Sequence, residues 1–240
     1  MNGAFLNALA ILLGSLLGLV RPAPLPVRVQ VFLRTVLGAA TMVAGMRLIA
    51  ENWGDGFWLA WKRLLITFLA VVLGFWLGKG LRLQRASNQL GRRAGHLIAA
   101  ARNHPPGKPV AGLAACLLLL GAAPLGWLGA VEEGFSGGYY LFAVKAVMDA
   151  LAMAGFVQLF GWPTALSAFP ILAFFGALTS YCQHVAAPFC QAHHLVDSVN
   201  SATGLVACAV TLVIFEVRKV ELANFLPALV VAPLLEWFWR

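Results

Sequence analysis

Two charged side chains lie close together in a strongly apolar stretch, YYLFAVKAVMDALAMAGFVQLF, residues 139 to 160. Lys145 and Asp149 are four residues apart, so on an α-helix they share a face and can form an ion pair. If the stretch spans a bilayer, Asp149 lies near the midplane and Lys145 about 6 Å nearer one surface. A charge at this depth costs about 2.5–3.5 kcal/mol and usually faces a bundle interior or a watery cavity. The pair therefore indicates proton or cation coupling, or else a buried structural ion pair.

Other polar side chains inside apolar stretches offer oxygen ligands for a small ion or solute. Asn7 is predicted toward the outer end of the first span, and Asn200 and Thr203 toward that of the seventh. An amide carbonyl can coordinate a small ion. Amides and hydroxyls also hold membrane helices together without any ligand, so both interpretations stay open.

Prolines interrupt several apolar stretches: Pro124, Pro170, Pro227 and Pro233. Each proline removes one backbone donor and frees the carbonyl four residues earlier. In lipid, such a freed group is tolerated where protein or a water-filled cavity covers it. Broken helices are a sequence indicator of a transport site, although kinked helices without a ligand are common. Pro170 is therefore counted among the candidate site residues.

The segment YCQHVAAPFCQAHHLVDS is predicted to be an outer loop, and it contains Cys182, Cys190, His184, His193 and His194. An oxidising compartment would favour a Cys182–Cys190 disulfide. Imidazole and thiolate also suit a soft metal ion. The spacing matches no established closed zinc motif, so we predict neither a metal site nor a cofactor.

The composition is that of a membrane protein. The chain has 240 residues, a mean hydropathy of +0.84 and only 11% charged residues, whereas about a quarter of the residues of a soluble domain are charged. Apolar runs long enough to cross a bilayer recur along it. The first run, GAFLNALAILLGSLLGLV, lacks a basic segment before it and a cleavage site after it, which favours a retained helix. We expect an all-α integral membrane protein with one domain, residues 1–240.

The net charge of +8 does not require a nucleic-acid partner. Basic residues of membrane proteins collect in cytoplasmic connections because of insertion topology. No His-Glu-x-x-His, Walker, Gly-x-Ser-x-Gly or Cys-x-x-Cys motif is present, so the sequence gives no sign of an enzyme.

Eight spans are predicted, at residues 4–20, 31–50, 60–79, 110–131, 139–160, 163–181, 198–215 and 223–239. The connections after spans one, three and seven, with their flanks, hold 12 of the 17 basic residues. The positive-inside rule then places those connections in the cytoplasm and both termini outside.

The basic connection 81–109 contains an amphipathic helix at 81–104. Its apolar residues recur at helical spacing, and its arginines lie largely on other faces. This pattern is typical of a helix in the headgroup layer, with Arg85, Arg92 and Arg93 contacting anionic lipid. A plain positive-inside anchor is the simpler alternative.

The two halves of the chain resemble each other weakly. LNALAIL (6–12) matches LSAFPIL (166–172) at four of seven places, and GAATMVAGMRLI (38–49) aligns with GLVACAVTLVIF (204–215). The alignment pairs spans 1–3 with spans 6–8. Because five spans separate each helix from its counterpart, the second set would run in the opposite direction, as in an inverted repeat.

Four segments resemble the YqgA-like family of bacterial inner-membrane proteins. They are GAFLNALAILLGSLLG, KAVMDAL, FPILAFFGALT and the closing EVRKVELANFLPALVVAPLL. The cysteines and histidines of 182–194, and the Lys62-Arg63 pair, depart from the pattern. The resemblance implies a bacterial inner membrane, and it supplies no established substrate or catalytic residue.

The leading hypothesis is a secondary transporter or channel for a small ion or polar solute, coupled through Lys145 and Asp149. A membrane scaffold or assembly factor without a conducted solute is the alternative, and an intramembrane enzyme ranks last. The expected partners are the lipid bilayer, the solute and, in a homodimer, a second copy of the chain.

Overall fold

The structure, a computed structural model, describes residues 1–20, 26–51, 57–103, 109–218 and 220–239. In this part of the chain every regular element is helical. The α-helices are α1 Asn2–Val20, α2 Val27–Ala50, α3 Phe57–Gly80, α4 Leu83–Asn103, α5 Pro109–Ala122, α6 Pro124–Ser136, α7 Tyr140–Phe160, α8 Ala168–Tyr181, α9 Ala187–Ala192, α10 Val196–Ile214 and α11 Ala228–Phe238. Trp162–Ser167 and Leu222–Phe225 are 3₁₀ segments, and Cys182–Ala186 is a π segment.

Among the described residues, six helical stretches are long and apolar enough to cross a membrane. The α5–α6 pair, bent by 55°, adds a seventh if it is one span. The predicted eighth span corresponds to Leu222–Phe238, a shorter apolar stretch. The all-α membrane class is thus confirmed. The described residues contain six or seven candidate spans, and the predicted number of eight is not confirmed.

Close contacts between small residues fix the directions of neighbouring helices. Gly14 and Gly18 of α1 touch Ala150 and Ala154 of α7 in the same order, so these two helices run parallel. Because glycine has no Cβ, the two backbones can approach closely. At both glycines, a Cβ would overlap the backbone of α7.

Two further helix pairs run antiparallel. In α2 and α10, Gly38 lies against Phe215, whereas Gly45 lies against Gly204. In the pair formed by α3 with the 3₁₀ segment and α11, Gly74 lies against Ala228 and Gly78 against Asn224. These directions agree with a chain that alternates across the bundle.

A series of contacts places both chain ends at one end of the bundle. Gly3 donates to Glu133, which ends α6. Near the start of α10, Phe135 of α6 packs against the cluster formed by Cys190, Leu195 and Val199, and Asp197 pairs with Arg63. The neighbouring Lys62 donates to the carbonyl of Trp239. We call this the acidic end, defined by Glu132, Glu133 and Asp197.

The opposite end carries α4 and is called the basic end, defined by Arg85, Arg92 and Arg93. Ala94 and Ala101 of α4 are buried in the core, and all three arginines are exposed, so the predicted amphipathic helix is present. Gln84 of α4 is joined to the 3₁₀ segment by two bonds: Gln84 N–H donates to Asn224 Oδ1 at 3.0 Å, and Ala223 N–H donates to Gln84 Oε1 at 3.1 Å.

The segment 182–194 was predicted as an outer loop, and this prediction is wrong for most of its length. The helix that begins at Trp162 continues to Ala192 through the π segment, in which Ala187 N–H donates to the carbonyl of Cys182. Cys182 and Cys190 are both thiols. Their eight residues of helix correspond to about 12 Å of rise, too far for the predicted disulfide.

Candidate functional site

The site is built around the Lys145–Asp149 pair of α7. Residues at helical spacing along this helix are buried, including Phe142, Lys145, Asp149 and Met153. Val147 and Met148 occupy the opposite, exposed face. The polar pair therefore points into the bundle because it shares the face that packs against α1 and α6.

Lys145 and Asp149 form a direct ion pair. Nζ of Lys145 lies 2.5 Å from Oδ2 of Asp149, and the two residues are 1% and 4% exposed. Asp149 is the tenth residue of the 21 in α7, which places its carboxylate near the middle of the helix. The contact, the burial and the central position predicted from the spacing are all present.

A second partner of Lys145 comes from the bend between α5 and α6. Pro124 begins α6 and has no N–H. The carbonyl of Leu120, four residues earlier, therefore loses its helical donor. Lys145 Nζ donates to this carbonyl at 3.1 Å. The ammonium group thus occupies the place of the missing backbone donor, which satisfies both groups away from water.

An aromatic ring completes the surroundings of the ammonium group. Lys145 Nζ lies 5.2 Å from the ring centroid of Phe175 on α8, within the range of a cation–π interaction. Gly126 of α6 faces the same place, and a Cβ there would come within 2.6 Å of Lys145 Cε. The absence of a side chain at Gly126 is therefore required for this arrangement.

Asn7 approaches Asp149 from α1. It is 1% exposed and interacts electrostatically with the Asp149 side chain. Neither amide atom of Asn7 makes a hydrogen bond of good geometry with any described residue. Asn7, a predicted site residue, therefore lies beside the pair, and its amide atoms can still accept or donate hydrogen bonds.

The chain is similar throughout its length to proteins of one family. The model of the family "Protein of unknown function (DUF554)" matches residues 2–237. The chain belongs to this family. The "Uncharacterized protein YqgA" of Escherichia coli (strain K12) is 26% identical, over 99% of this chain and 97% of its own length. The "Uncharacterized membrane protein YdfK" of Bacillus subtilis (strain 168) is 21% identical, over 97% and 94% respectively. No solved structure matches this DUF554 chain.

Membership of the DUF554 family confirms the resemblance inferred from the sequence. Two of the segments that carried it have defined positions in the structure. KAVMDAL contributes the buried ion pair, and ELANFLPAL contributes Asn224, which anchors α4. The family match, the apolar helices and the name of the Bacillus relative together establish a membrane protein.

Asn200 and Thr203 of this DUF554 protein are buried on α10, a helix that packs on α2, α6 and α11. Thr203 Oγ1 donates to the carbonyl of Val199 at 2.7 Å, a bond within its own helix. Asn200 Oδ1 has no hydrogen-bond partner among the described residues. No described contact joins either residue to Lys145 or Asp149, so the structure does not unite them with the pair.

Pro170 requires a correction. It lies in the first turn of α8 and is exposed. The 3₁₀ segment Trp162–Ser167 leads directly into α8, with the N–H of Ala168 donating to the carbonyl of Ala165, so the helix passes Pro170 without a break. The interruption that contacts the Lys145–Asp149 pair is the one at Pro124.

Two carboxylates at the acidic end of the bundle were not predicted as site residues. Glu132 is 1% exposed, and its Oε2 accepts from the N–H of Leu141 at 2.8 Å, at the start of α7. Glu133 Oε1 accepts from the N–H of Gly3 at 2.9 Å. The predicted fourth span ends at residue 131, so both fell in the connection after it, whereas they belong to the last turns of α6.

The described residues contain no group of three or more His, Cys, Asp or Glu placed to hold a metal ion. Lys145, Asp149, Asn7 and the Leu120 carbonyl provide instead a cation, a carboxylate, an amide and a backbone acceptor at one buried position. Such a set can bind a small ion or a polar group, and it can exchange partners when one arrives.

Proposed function

We propose that this DUF554 protein is a secondary transporter or channel for a small ion or polar solute, with Lys145 and Asp149 as the coupling pair. The observation that carries the proposal is the position of the Lys145 ammonium group. It lies inside the bundle, at a helix break, between a carboxylate and a backbone carbonyl freed by Pro124.

Helix breaks of this kind are characteristic of transport sites in membranes, because irregular backbone is tolerated there only where protein or a cavity covers it. A cation that reaches Asp149 competes with Lys145 for the same carboxylate. The carbonyl of Leu120 then gives the displaced ammonium group an alternative acceptor. Binding at Asp149 is thereby coupled to the α5–α6 bend.

The directions of the helices support an inverted repeat. The sequence pairs span 1 with 6, 2 with 7, and 3 with 8, which correspond to α1 with α8, α2 with α10, and α3 with α11. Each of these pairs is in contact, and the last two are antiparallel in the glycine contacts. An antiparallel arrangement of equivalent helices is what a two-fold axis in the membrane plane requires.

The distribution of charge supports an orientation in a bacterial inner membrane. The basic end, with exposed Arg85, Arg92 and Arg93, would face the cytoplasm and its anionic lipids. The acidic end, with both chain termini, would then face outward. A reporter that fluoresces only in the cytoplasm, fused after Arg240, should stay dark, and fluorescence would reverse the orientation.

One observation favours the alternative function, a scaffold that conducts nothing. An apolar groove of about 1080 Å³ runs between α1, α2 and α7, bordered by Met148, Leu151 and Gly155. A partner helix or a second copy of the chain would fit such a surface. The two functions differ in whether purified protein moves a solute, so flux separates them.

The test is flux into proteoliposomes, with H⁺, Na⁺, K⁺ and a panel of small polar solutes and a protonophore control. Asp149→Asn keeps the size of the side chain and a carbonyl oxygen, so the Lys145 ammonium group retains acceptors at this position and at Leu120, but the amide cannot ionise. We expect this variant to be monodisperse in detergent and to lose coupled flux. The double variant Lys145→Met, Asp149→Leu should also fold and be inactive. Normal flux in a well-folded double variant would overturn the role of the pair.

A further inference from the structure

Three buried polar side chains between the acidic end and Asp149 have atoms without a hydrogen-bond partner among the described residues. They are Oε2 of Glu133, Oγ1 of Thr179 and both amide atoms of Asn7. The three residues are at most 6% exposed. A buried polar group without a hydrogen bond is destabilising, and each such group calls for an explanation, such as a bound water or ion.

These side chains belong to three helices that contact one another, α6, α8 and α1. At the acidic end, Glu133 is bonded to Gly3 of α1, and the next residue, Gly134, lies against Cys182. The three helices therefore meet around Glu133.

The positions along the helices give the three groups an order in depth. Asn7 follows Gly3 by one turn and lies about 6 Å deeper. Thr179 precedes Cys182 by three residues and lies about 4.5 Å deeper. Below them come Asp149, beside Asn7, and Phe175, against Lys145. The unpaired groups thus lie at successive depths from Glu133 down to the ion pair, on three helices in mutual contact, and we call this series the column.

We propose that this column is a hydrated access path for a small monovalent cation, leading from Glu133 past Thr179 and Asn7 to Asp149. The proposal rests on the proposed transport function and adds its ligand class and its route. Carboxylate, hydroxyl and amide oxygens are hard donors, which suit an ion such as Na⁺ and not a soft metal. Water and the ion satisfy the groups that the protein leaves unpaired.

The charges around the column are nearly balanced. Glu133 Oε1 lies 2.9 Å from the amino group of Met1, so Oε2 is the oxygen left for an ion. Glu132 is bonded to the start of α7, and Asp149 is paired with Lys145. An entering cation therefore finds a carboxylate at each end and no unpaired positive group among the described residues around it.

Water access can be measured without any transport. In a background with the four native cysteines (Cys116, Cys182, Cys190 and Cys208) replaced by alanine, Thr179→Cys is compared with Ala177→Cys in phospholipid nanodiscs. Ala177 lies on the same helix at a similar depth but faces lipid. A charged methanethiosulfonate reagent should label Thr179→Cys about tenfold faster, because only a hydrated thiol ionises and reacts. Equal slow rates would overturn the path.

A second pair of cysteine variants tests the path if Thr179→Cys does not fold. Asn7→Cys should react rapidly, and Leu9→Cys, which is exposed to lipid on the same helix, should not. Replacing choline by Na⁺ should slow labelling at position 7 several-fold. Adding Glu133→Gln should abolish this protection. A Na⁺ effect that persists in Glu133→Gln would remove Glu133 from the path.

The outcomes separate this inference from the proposed function. Rapid labelling with no flux of any solute would keep the path and refute transport. Flux that depends on Asp149 combined with slow labelling at positions 7 and 179 would keep transport and refute the path.

Discussion

Two interrupted helices of this protein differ in what their interruptions contact. At the α5–α6 bend, Pro124 frees the carbonyl of Leu120, and the buried Lys145 donates to it. In the helix from Trp162 to Ala192, Pro170 and Pro188 are both exposed. That helix continues through 3₁₀ and π segments with its own backbone bonds.

The difference shows that a proline in an apolar helix does not mark a site by itself. A freed carbonyl in lipid costs several kcal/mol unless another group covers it. At Pro124 the covering group is an ammonium ion from another helix, so the break and the charge depend on each other. At Pro170 and Pro188 the helix continues through local 3₁₀ and π geometry, and both prolines are exposed.

The largest loss of stability is expected from Lys145→Met, at the first of these two interruptions. This variant leaves Asp149 buried without its partner and the Leu120 carbonyl without its donor. Removing one member of a buried pair costs about 3–5 kcal/mol. We expect aggregation or a large loss of thermal stability in detergent, measured by size-exclusion chromatography and melting.

The double variant Lys145→Met, Asp149→Leu is the control for this prediction, because it leaves no uncompensated charge. It should recover most of the lost stability. If both variants are equally unstable, the carbonyl contact matters more than the ion pair.

A smaller effect is expected from Gly126→Ala, which keeps both charges. The new Cβ would come within 2.6 Å of Lys145 Cε and would overlap the ring of Phe175. Overpacking of this kind costs about 1–3 kcal/mol, and it should displace the ammonium group and reduce flux. Gly121→Ala is the matched control, since a Cβ at Gly121 meets nothing within 4 Å. Flux should be normal in Gly121→Ala, and equal loss in both variants would contradict the requirement for Gly126.

The site was predictable from the sequence where it depends on local spacing. Lys145 and Asp149 share a helix face because they are four residues apart, and Pro124 is visible as a helix breaker. The bond from Lys145 to the carbonyl of Leu120 joins residues 25 apart on different helices, and the bond of Gly3 to Glu133 spans 130 residues. Such partners depend on how helices pack, for which local periodicity gives no signal.

The fold, too, was predictable only where it depends on local sequence. The long apolar helices and the amphipathic helix α4 follow from composition and periodicity. The continuation of the helix through Cys182–Ala186 was missed because His184 and Gln183 made the segment look like a loop. Both side chains are exposed, so the helix presents them outward and remains intact.

Pro188→Ala should change the stability of the protein little, in contrast to the variants at the α5–α6 bend. Pro188 is exposed in the first turn of α9. Surface substitutions of this kind change stability by less than about 0.5 kcal/mol. Melting of purified protein, compared with wild type, checks this. A loss comparable to that of Gly126→Ala would mean that the second interruption also supports a site.

The smallest expected effect is that of oxidation on Cys182 and Cys190. A helix separates them by about 12 Å, whereas a disulfide requires Cα atoms within about 7 Å. Purified protein treated with a mild oxidant should therefore keep both thiols, and intact mass after alkylation should be the same with and without a reductant. Cys116, buried on another helix, serves as an internal reference for a thiol that alkylates only after unfolding. A mass difference of two hydrogens that maps to Cys182 and Cys190 would show that the helix opens at the π segment. The two interruptions would then differ in the stability of their helices as well as in the groups that contact them.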